Sequence, residues 1–117
     1  MCIRDRAYTD VEPYDPPGHH GMVALKLHDK DLSGAEIFWT GLSHFLPNGK
    51  ADWAYENSPT EKMYFVVEGS ITIQSKDETI VLEKYDSIHI PPFEGRSMLN
   101  HTNLPATVLV SITYPDN

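Results

Sequence analysis

Apolar and polar residues alternate in several short segments of the chain. Ile71 and Ile73 flank a threonine, Ile88 and Ile90 flank a histidine, and the same spacing relates Val108, Val110 and Ile112. A period of two places such side chains on one face of a β-strand. No stretch of ten or more residues shows the 3.6-residue apolar period of a helix. The pattern predicts strands near residues 36–46, 62–68, 70–75, 78–83, 86–90, 96–101 and 106–114.

Turn-forming residues separate these predicted strands. They occur at Pro47-Asn48-Gly49, Glu68-Gly69, Lys76-Asp77 and Pro91-Pro92, and such residues are favoured in turns. A chain of 117 residues is the size of one domain with one hydrophobic core. Many short, regularly spaced strands in such a chain predict an all-β sandwich or a closed jelly-roll barrel.

The first 35 residues differ in character from the rest. Residues 1–6, MCIRDR, lead into no periodic pattern, and we interpret them as a non-native leader. Residues 7–21 contain three prolines, which exclude a helix or a central strand there. We therefore predict a leader at 1–6, an N-terminal arm at 7–35 that packs on the body or on a partner subunit, and a barrel at 36–117.

Composition excludes several classes of partner. The chain has 17 acidic and 9 basic residues, a net charge of −8, which disfavours binding to nucleic acid and to anionic membrane surfaces. No apolar run approaches the ~20 residues of a membrane-spanning helix, and the start lacks the apolar stretch of a secretory signal. We expect a cytoplasmic protein. Its single cysteine, Cys2, belongs to the predicted leader, so the remaining chain has no disulfide and no thiolate metal site.

Two segments resemble the two sequence motifs of the cupin family, in the expected order. The first motif is similar to NGKADWAYENSPTEKMYFVVEGSITI, residues 48–73, and the second to KYDSIHIPPFEGRSMLN, residues 84–100. The arm sequence PPGHHG also resembles the start of one group of single-domain cupins. The resemblance implies the cupin double-stranded β-helix, a jelly-roll barrel. It also implies a homodimer formed through a sheet edge or exchanged N-terminal strands.

The resemblance further indicates which residues stand where cupins hold a metal. Those positions fall on Tyr55, Asn57, Lys62 and Arg96, and a shift of one residue in the first motif replaces the first two by Glu56 and Ser58. Lysine and arginine are cations without free lone pairs, so they would repel a divalent metal. We expect no metal and no other cofactor at this site. The two protein cations would instead bind a carboxylate or stabilise an oxyanion.

Arg96 and Lys62 are the main catalytic candidates. Arg96 is the only arginine after residue 6, and a guanidinium can bind a carboxylate through two parallel hydrogen bonds. Alternatively, it points outward or pairs with Glu94 or Glu56. Alternation places Lys62 on one face with Tyr64, where burial beside Arg96 would lower its pKa and favour a general base or Schiff-base role. Alternatively, Lys62 extends from the rim to water.

Other side chains complete the predicted site. Tyr55 and Tyr64 are candidate proton donors, although both could be wall residues. The predicted substrate-binding residues are Asn57, Glu56, His44, Trp53, Met98 and Asn100.

Three functions remain open at the level of sequence. The first is a metal-independent lyase, decarboxylase or isomerase acting on a small anionic metabolite. The second is a non-catalytic small-molecule binding protein, which would use the same pocket. The third is a metalloenzyme with relocated ligands drawn from His19, His20, His44 or His101, although no local histidine spacing supports a metal site.

Overall fold

The computed structural model describes residues 3–14 and 16–115. They form an all-β, nearly closed antiparallel jelly-roll barrel, which confirms the predicted fold class. The described residues contain a 3₁₀ helix at Tyr8–Asp10, a short helix α1 at Lys30–Ser33 and nine strands. The strands are β1 Pro13–Tyr14, β2 His19–His28, β3 Phe38–Ala54, β4 Lys62–Glu68, β5 Ile71–Gln74, β6 Thr79–Leu82, β7 Ser87–Ile90, β8 Arg96–Leu99 and β9 Ala106–Thr113. No helix in this part of the chain has the length and apolar character needed to cross a membrane.

Strand β3 connects the two walls of the barrel. Its residues 38–45 lie between β2 and β9, and residues 50–54 pair with β8. One wall therefore has the order β1-β2-β3-β9-β4-β7, and the other has the order β6-β5-β8-β3. All of these pairings are antiparallel.

The predicted turn at residues 47–49 is instead an irregularity within β3. Asn48 adopts a left-handed conformation with φ of 65°, but its N–H donates to the Asn100 carbonyl across the sheet at 2.9 Å. A side chain at Gly49 would place its Cβ 2.2 Å from the Gly21 carbonyl oxygen. Glycine is therefore required where β2 crosses β3, and the strand predicted at 36–46 continues to residue 54.

The predicted alternation correctly identifies the inward face of most strands. Ile71 and Ile73 are buried, as are Val108, Val110 and Ile112. On β4 the inward residues are Lys62, Tyr64 and Val66. Burial of each large apolar side chain contributes about 1.5–3 kcal/mol, so these rows stabilise the barrel and also fix which β4 side chains point inward.

The N-terminal arm is part of this architecture. Strand β1 pairs with β2, and β2 pairs with β3. Arg6 donates to the carbonyls of Lys26 and Leu27 at 3.0 and 2.9 Å, and the Tyr8 hydroxyl lies 3.0 Å from His44 Nε2. The predicted boundaries at residues 6 and 35 stay a prediction, and Cys2 lies outside the described residues.

Candidate functional site

The barrel contains a partly open cavity of about 160 Å³. An apolar cavity of ~150 Å³ accommodates a benzene molecule, so this space is suited to a small metabolite. Its lining includes the polar or aromatic side chains of Tyr14, His19, Lys26, Trp39, Ser43, Phe45, Tyr55, Tyr64 and Arg96. Met98, Leu25, Leu42, Val110 and Ile112 supply much of the apolar wall.

Arg96 is the buried cation of this cavity. It opens β8, and only 3% of its surface is exposed. Its Nε donates to the Tyr64 hydroxyl at 2.9 Å, and its Nη1 donates to the Asp52 carbonyl at 3.2 Å. None of the ion pairs in the described residues includes Arg96. The described hydrogen-bond acceptors of Arg96 are therefore neutral oxygens, and its charge has no described counter-ion.

Tyr64 is the phenol bound to this guanidinium. It lies on β4 and is almost fully buried. Burial raises the pKa of Tyr64, and the adjacent Arg96 charge opposes that rise in pKa without reversing it. The hydroxyl therefore stays protonated at neutral pH. Because it accepts a hydrogen bond from Arg96, its own proton can be donated to another oxygen.

Tyr55 contacts both inward cations. Its ring centroid lies 4.7 Å from Lys62 Nζ and 5.0 Å from Arg96 Cζ, within cation–π range. Its φ is 72°, and its carbonyl accepts from the Ser58 N–H at 3.2 Å in a tight turn. A left-handed conformation is strained at a tyrosine, and Tyr85 and Phe93 adopt it as well, so at Tyr55 it is explained by the tight turn.

Lys62 lies behind this aromatic ring. It is 1% exposed, and its Nζ donates to the Thr60 carbonyl at 3.0 Å. Burial, and then the positive charge of Arg96, lower the pKa of the Lys62 ammonium. Lys62 itself is not among the residues that line the cavity. The structure thus places the Lys62 ammonium against the Tyr55 ring and outside the cavity wall.

Two predicted binding residues lie away from the cavity. His44 is on the outer face of β3, where its Nδ1 lies 2.9 Å from the Thr107 hydroxyl. Asn100 is fully buried, and its Nδ2 donates to the carbonyls of Phe45, Leu46 and Leu104. Asn100 therefore ties strand β3 to the loop before β9, which is a structural position.

Three further predicted residues border a separate surface groove. Trp53, Glu56 and Asn57 are exposed and line this groove together with Ala54, Tyr55 and Ser58. Tyr55 belongs to both the groove and the cavity. Of the ten predicted site residues, the structure therefore places Tyr55, Tyr64, Arg96 and Met98 at the cavity, with Lys62 adjoining them.

Several residues that line the cavity were not among the predicted site residues, and two of these, Tyr14 and Lys26, contact each other. Tyr14 and Lys26 come from the arm and β2, and the Lys26 ammonium lies 5.2 Å from the Tyr14 ring centroid and 5.5 Å from that of Trp39. It also pairs with Asp29 at 3.8 Å. Burial raises the pKa of the Tyr14 phenol, and Tyr55 and Asp29 add to this rise in pKa. The only feature of the sequence that could have indicated a role for Tyr14 was the presence of tyrosines in the arm.

The described donor set does not fit a divalent metal ion. Among the described residues that line the cavity, His19 is the only histidine, cysteine, aspartate or glutamate. Elsewhere in residues 3–14 and 16–115, no three or more such side chains are close enough to share a metal. The other candidate ligands are dispersed, with His20 against Asp52 at 3.1 Å and His101 against Thr72 at 2.6 Å.

Comparison with known proteins agrees with this architecture. The sequence profile described as Cupin domain matches residues 41–112. The beta-D-galactosidase Rv1717 of Mycobacterium tuberculosis is 34% identical over 104 residues, 87% of this chain and 86% of that protein. The polyketide cyclase RemF of Streptomyces resistomycificus has a TM-score of 0.83 at 23% identity, covering 96% of this chain and 80% of that one. A predicted oxalate decarboxylase of Thermotoga maritima has a TM-score of 0.78 at 14% identity, covering 97% and 98%. The two structural similarities show the fold alone, and the profile match and the sequence relative show that this chain belongs to the cupin family.

Proposed function

We propose that this cupin domain binds a small organic carboxylate in its barrel, with Arg96 as the anchor. The observation that carries the proposal is the buried guanidinium, 3% exposed, in the wall of a cavity and without a described counter-ion. A buried charge is costly unless it is paired. A ligand carboxylate would supply that pairing, and the fork of a guanidinium suits it.

The cavity limits the size of this ligand. A volume of about 160 Å³ suits a molecule of roughly six to eight non-hydrogen atoms, by comparison with benzene in a cavity of similar volume. The chain as a whole has a net charge of −8. The positive charge in the cavity is therefore local, and it favours an anionic ligand although the protein as a whole is negatively charged.

We further propose that the domain acts on this ligand as a metal-independent lyase, decarboxylase or isomerase. Arg96 would hold the carboxylate, and the protonated Tyr64 would stabilise a developing enolate or oxyanion. Tyr55 is the second candidate proton donor at the cavity. Burial and the Arg96 charge lower the pKa of Lys62, so this ammonium releases its proton more easily than that of a free lysine, which suits a base.

The relationship to a beta-D-galactosidase gives a second candidate, hydrolysis of a glycosidic bond. Most glycosidases use two carboxyl groups on either side of the scissile bond. The described residues that line the cavity include no aspartate and no glutamate. The carboxylate-binding function is therefore better supported by the described site.

Binding can be tested by thermal shift and titration calorimetry with a panel of four- to six-carbon monocarboxylic acids. At a ligand concentration of ~100 Kd, stabilisation by about 2.7 kcal/mol should raise Tm by roughly 10 °C. Arg96→Met should abolish this shift, whereas Arg4→Met, at an exposed arginine, should retain it. The binding proposal fails if no acid stabilises the protein or if Arg96→Met binds equally well.

Catalysis is tested separately by following the bound acids by NMR. Product formation that is lost in Tyr64→Phe while binding is retained supports the enzyme. Saturable binding without chemical change identifies a binding protein instead. Release of nitrophenol from nitrophenyl β-D-galactopyranoside, retained in Arg96→Met, would support the second candidate.

We also propose that the domain forms a homodimer, as the cupin resemblance implies. Light scattering across a concentration series measures the mass directly. A mass of one chain at all concentrations would contradict this proposal.

A further inference from the structure

A second candidate binding surface lies outside the barrel and is centred on Trp53. The groove formed by residues 53–58 contains this indole, which is 43% exposed, and the exposed side chains of Glu56 and Asn57. We call it the Trp53 groove. None of its six residues carries a positive charge, so it differs in chemistry from the cavity that contains Arg96.

The indole of Trp53 is held in place although much of it faces solvent. A Cβ added at Gly95 would lie 2.6 Å from the indole Cζ2 and 2.7 Å from Cε2. The indole therefore lies directly on the Gly95 backbone, where a side chain would displace it. In addition, its Nε1 donates to Glu56 Oε2 at 3.2 Å. An aromatic surface fixed in this way loses little conformational entropy when a ligand stacks on it.

The rim of the groove indicates the kind of ligand that would stack there. Glu56 and Asn57 offer carboxylate and amide groups beside the indole. Both groups accept hydrogen bonds from hydroxyl groups, and the amide also donates them. A pyranose ring has one face of C–H groups and an edge of hydroxyls, which matches an aromatic platform with a polar rim. The Glu56 carboxylate disfavours an anionic ring.

We propose that the Trp53 groove is a binding site for a neutral pyranose sugar. Trp53 stacks on the C–H face of the sugar, and Glu56 and Asn57 bind its hydroxyls. This inference does not rest on the carboxylate function of the cavity, because the two sites share only Tyr55.

The two tryptophans of the chain allow each site to be observed separately. Trp39 lines the cavity and Trp53 lines the groove, and the sequence has no other tryptophan. Trp39→Phe therefore leaves Trp53 as the only indole, and Trp53→Phe leaves Trp39. Titration of Trp39→Phe with the methyl glycosides of glucose, galactose and mannose should give a saturable change in emission for at least one sugar. The same sugar should leave the emission of Trp53→Phe unchanged.

A third variant tests the platform itself. Gly95→Ala, made in the Trp39→Phe background, adds a methyl group where the indole now lies, and should weaken sugar binding by about three- to tenfold. Circular dichroism and Tm confirm that the variant is folded. Benzyl alcohol serves as an aromatic probe without sugar hydroxyls. The proposal is overturned if no glycoside changes Trp53 emission, if Gly95→Ala binds equally well, or if benzyl alcohol saturates the site while the glycosides do not.

Discussion

Replacement of Lys62 by methionine is expected to stabilise the folded protein. The ammonium is 1% exposed, donates to one carbonyl, that of Thr60, and takes part in none of the described ion pairs. Methionine has a similar length and is apolar, so Lys62→Met keeps the volume of the side chain and removes its charge.

The magnitude follows from the contacts that change. The substitution loses a charge-assisted hydrogen bond to Thr60, about 1.5–3 kcal/mol, and a cation–π contact with Tyr55, about 0.5–2 kcal/mol. It removes the desolvation cost of a buried ion, several kcal/mol, and the repulsion from Arg96. Apolar replacement of buried ion pairs stabilises proteins by up to about 4 kcal/mol. We expect a gain of about 1–3 kcal/mol, which raises Tm by about 4–10 °C at pH 7.

The gain should depend on pH in a defined direction. Burial and the charge of Arg96 lower the pKa of Lys62 in the folded state below its usual value of 10.5. Between the folded and unfolded pKa values, the unfolded chain binds more protons, so the unfolding free energy of the wild type rises with pH. The advantage of Lys62→Met is therefore constant below the folded pKa and shrinks as the pH approaches 10.5.

Urea denaturation at pH 7, 8, 9 and 10, followed by tryptophan fluorescence, measures this difference. The control is Lys76→Met, which removes the charge of an exposed lysine and should change stability by less than about 0.5 kcal/mol. Lower stability of Lys62→Met than of the wild type at pH 7 would refute the reasoning, because it would show that the ammonium is well compensated. An advantage that does not shrink toward pH 10 would refute the assigned cause.

Three further predictions test separate parts of the structure. Tyr64→Phe removes the acceptor of Arg96 Nε and should lower the unfolding free energy by about 1–3 kcal/mol; an unchanged urea midpoint would contradict the buried hydrogen bond. Asn100→Ala leaves three backbone carbonyls without their amide donor. It should lower the unfolding free energy by about 3 kcal/mol or more. A decrease below ~1 kcal/mol on urea denaturation would show that this amide is replaceable. Gly69 and Gly34 both have a positive φ, but of these two only Gly69 would place an added Cβ against a carbonyl oxygen, at 2.6 Å. Gly69→Ala should therefore be more destabilising than Gly34→Ala by about 1–2 kcal/mol. Equal Tm values for these two variants would contradict the clash.

The fold was predictable where the strands are short and one-sided. The inward orientation of residues such as Ile71 and Ile73 could be predicted from alternation alone, because one face of each strand is buried and the other is exposed to solvent. The length of β3 and the existence of β2 were not predictable in this way. Asn48 and Gly49 have the composition of a turn, but tertiary pairing with β2 and β8 keeps the chain extended through them. Strand β2 forms by pairing with β3, although its HHGMVALKLH sequence lacks clean alternation.

The site was predictable to a similar degree. Alternation placed Lys62 and Tyr64 inside, and the structure buries both. The same rule argues against His44, because its neighbours Ser43 and Phe45 line the cavity and successive side chains on a strand point to opposite faces. Tyr14 could not be placed from local sequence, since it reaches the cavity only through the path of the arm across the barrel.

The position of β9 has a consequence for how the protein is synthesised. This last described strand lies between β3 and β4, so it joins segments that leave the ribosome much earlier. Until residues 106–113 emerge, β3 and β4 have unpaired edges, which other chains can extend. Val110 and Ile112, which form part of the cavity wall, are also missing from such a nascent chain. A ribosome stalled before residue 106 would therefore carry an open half-barrel in which the ligand cavity does not yet exist.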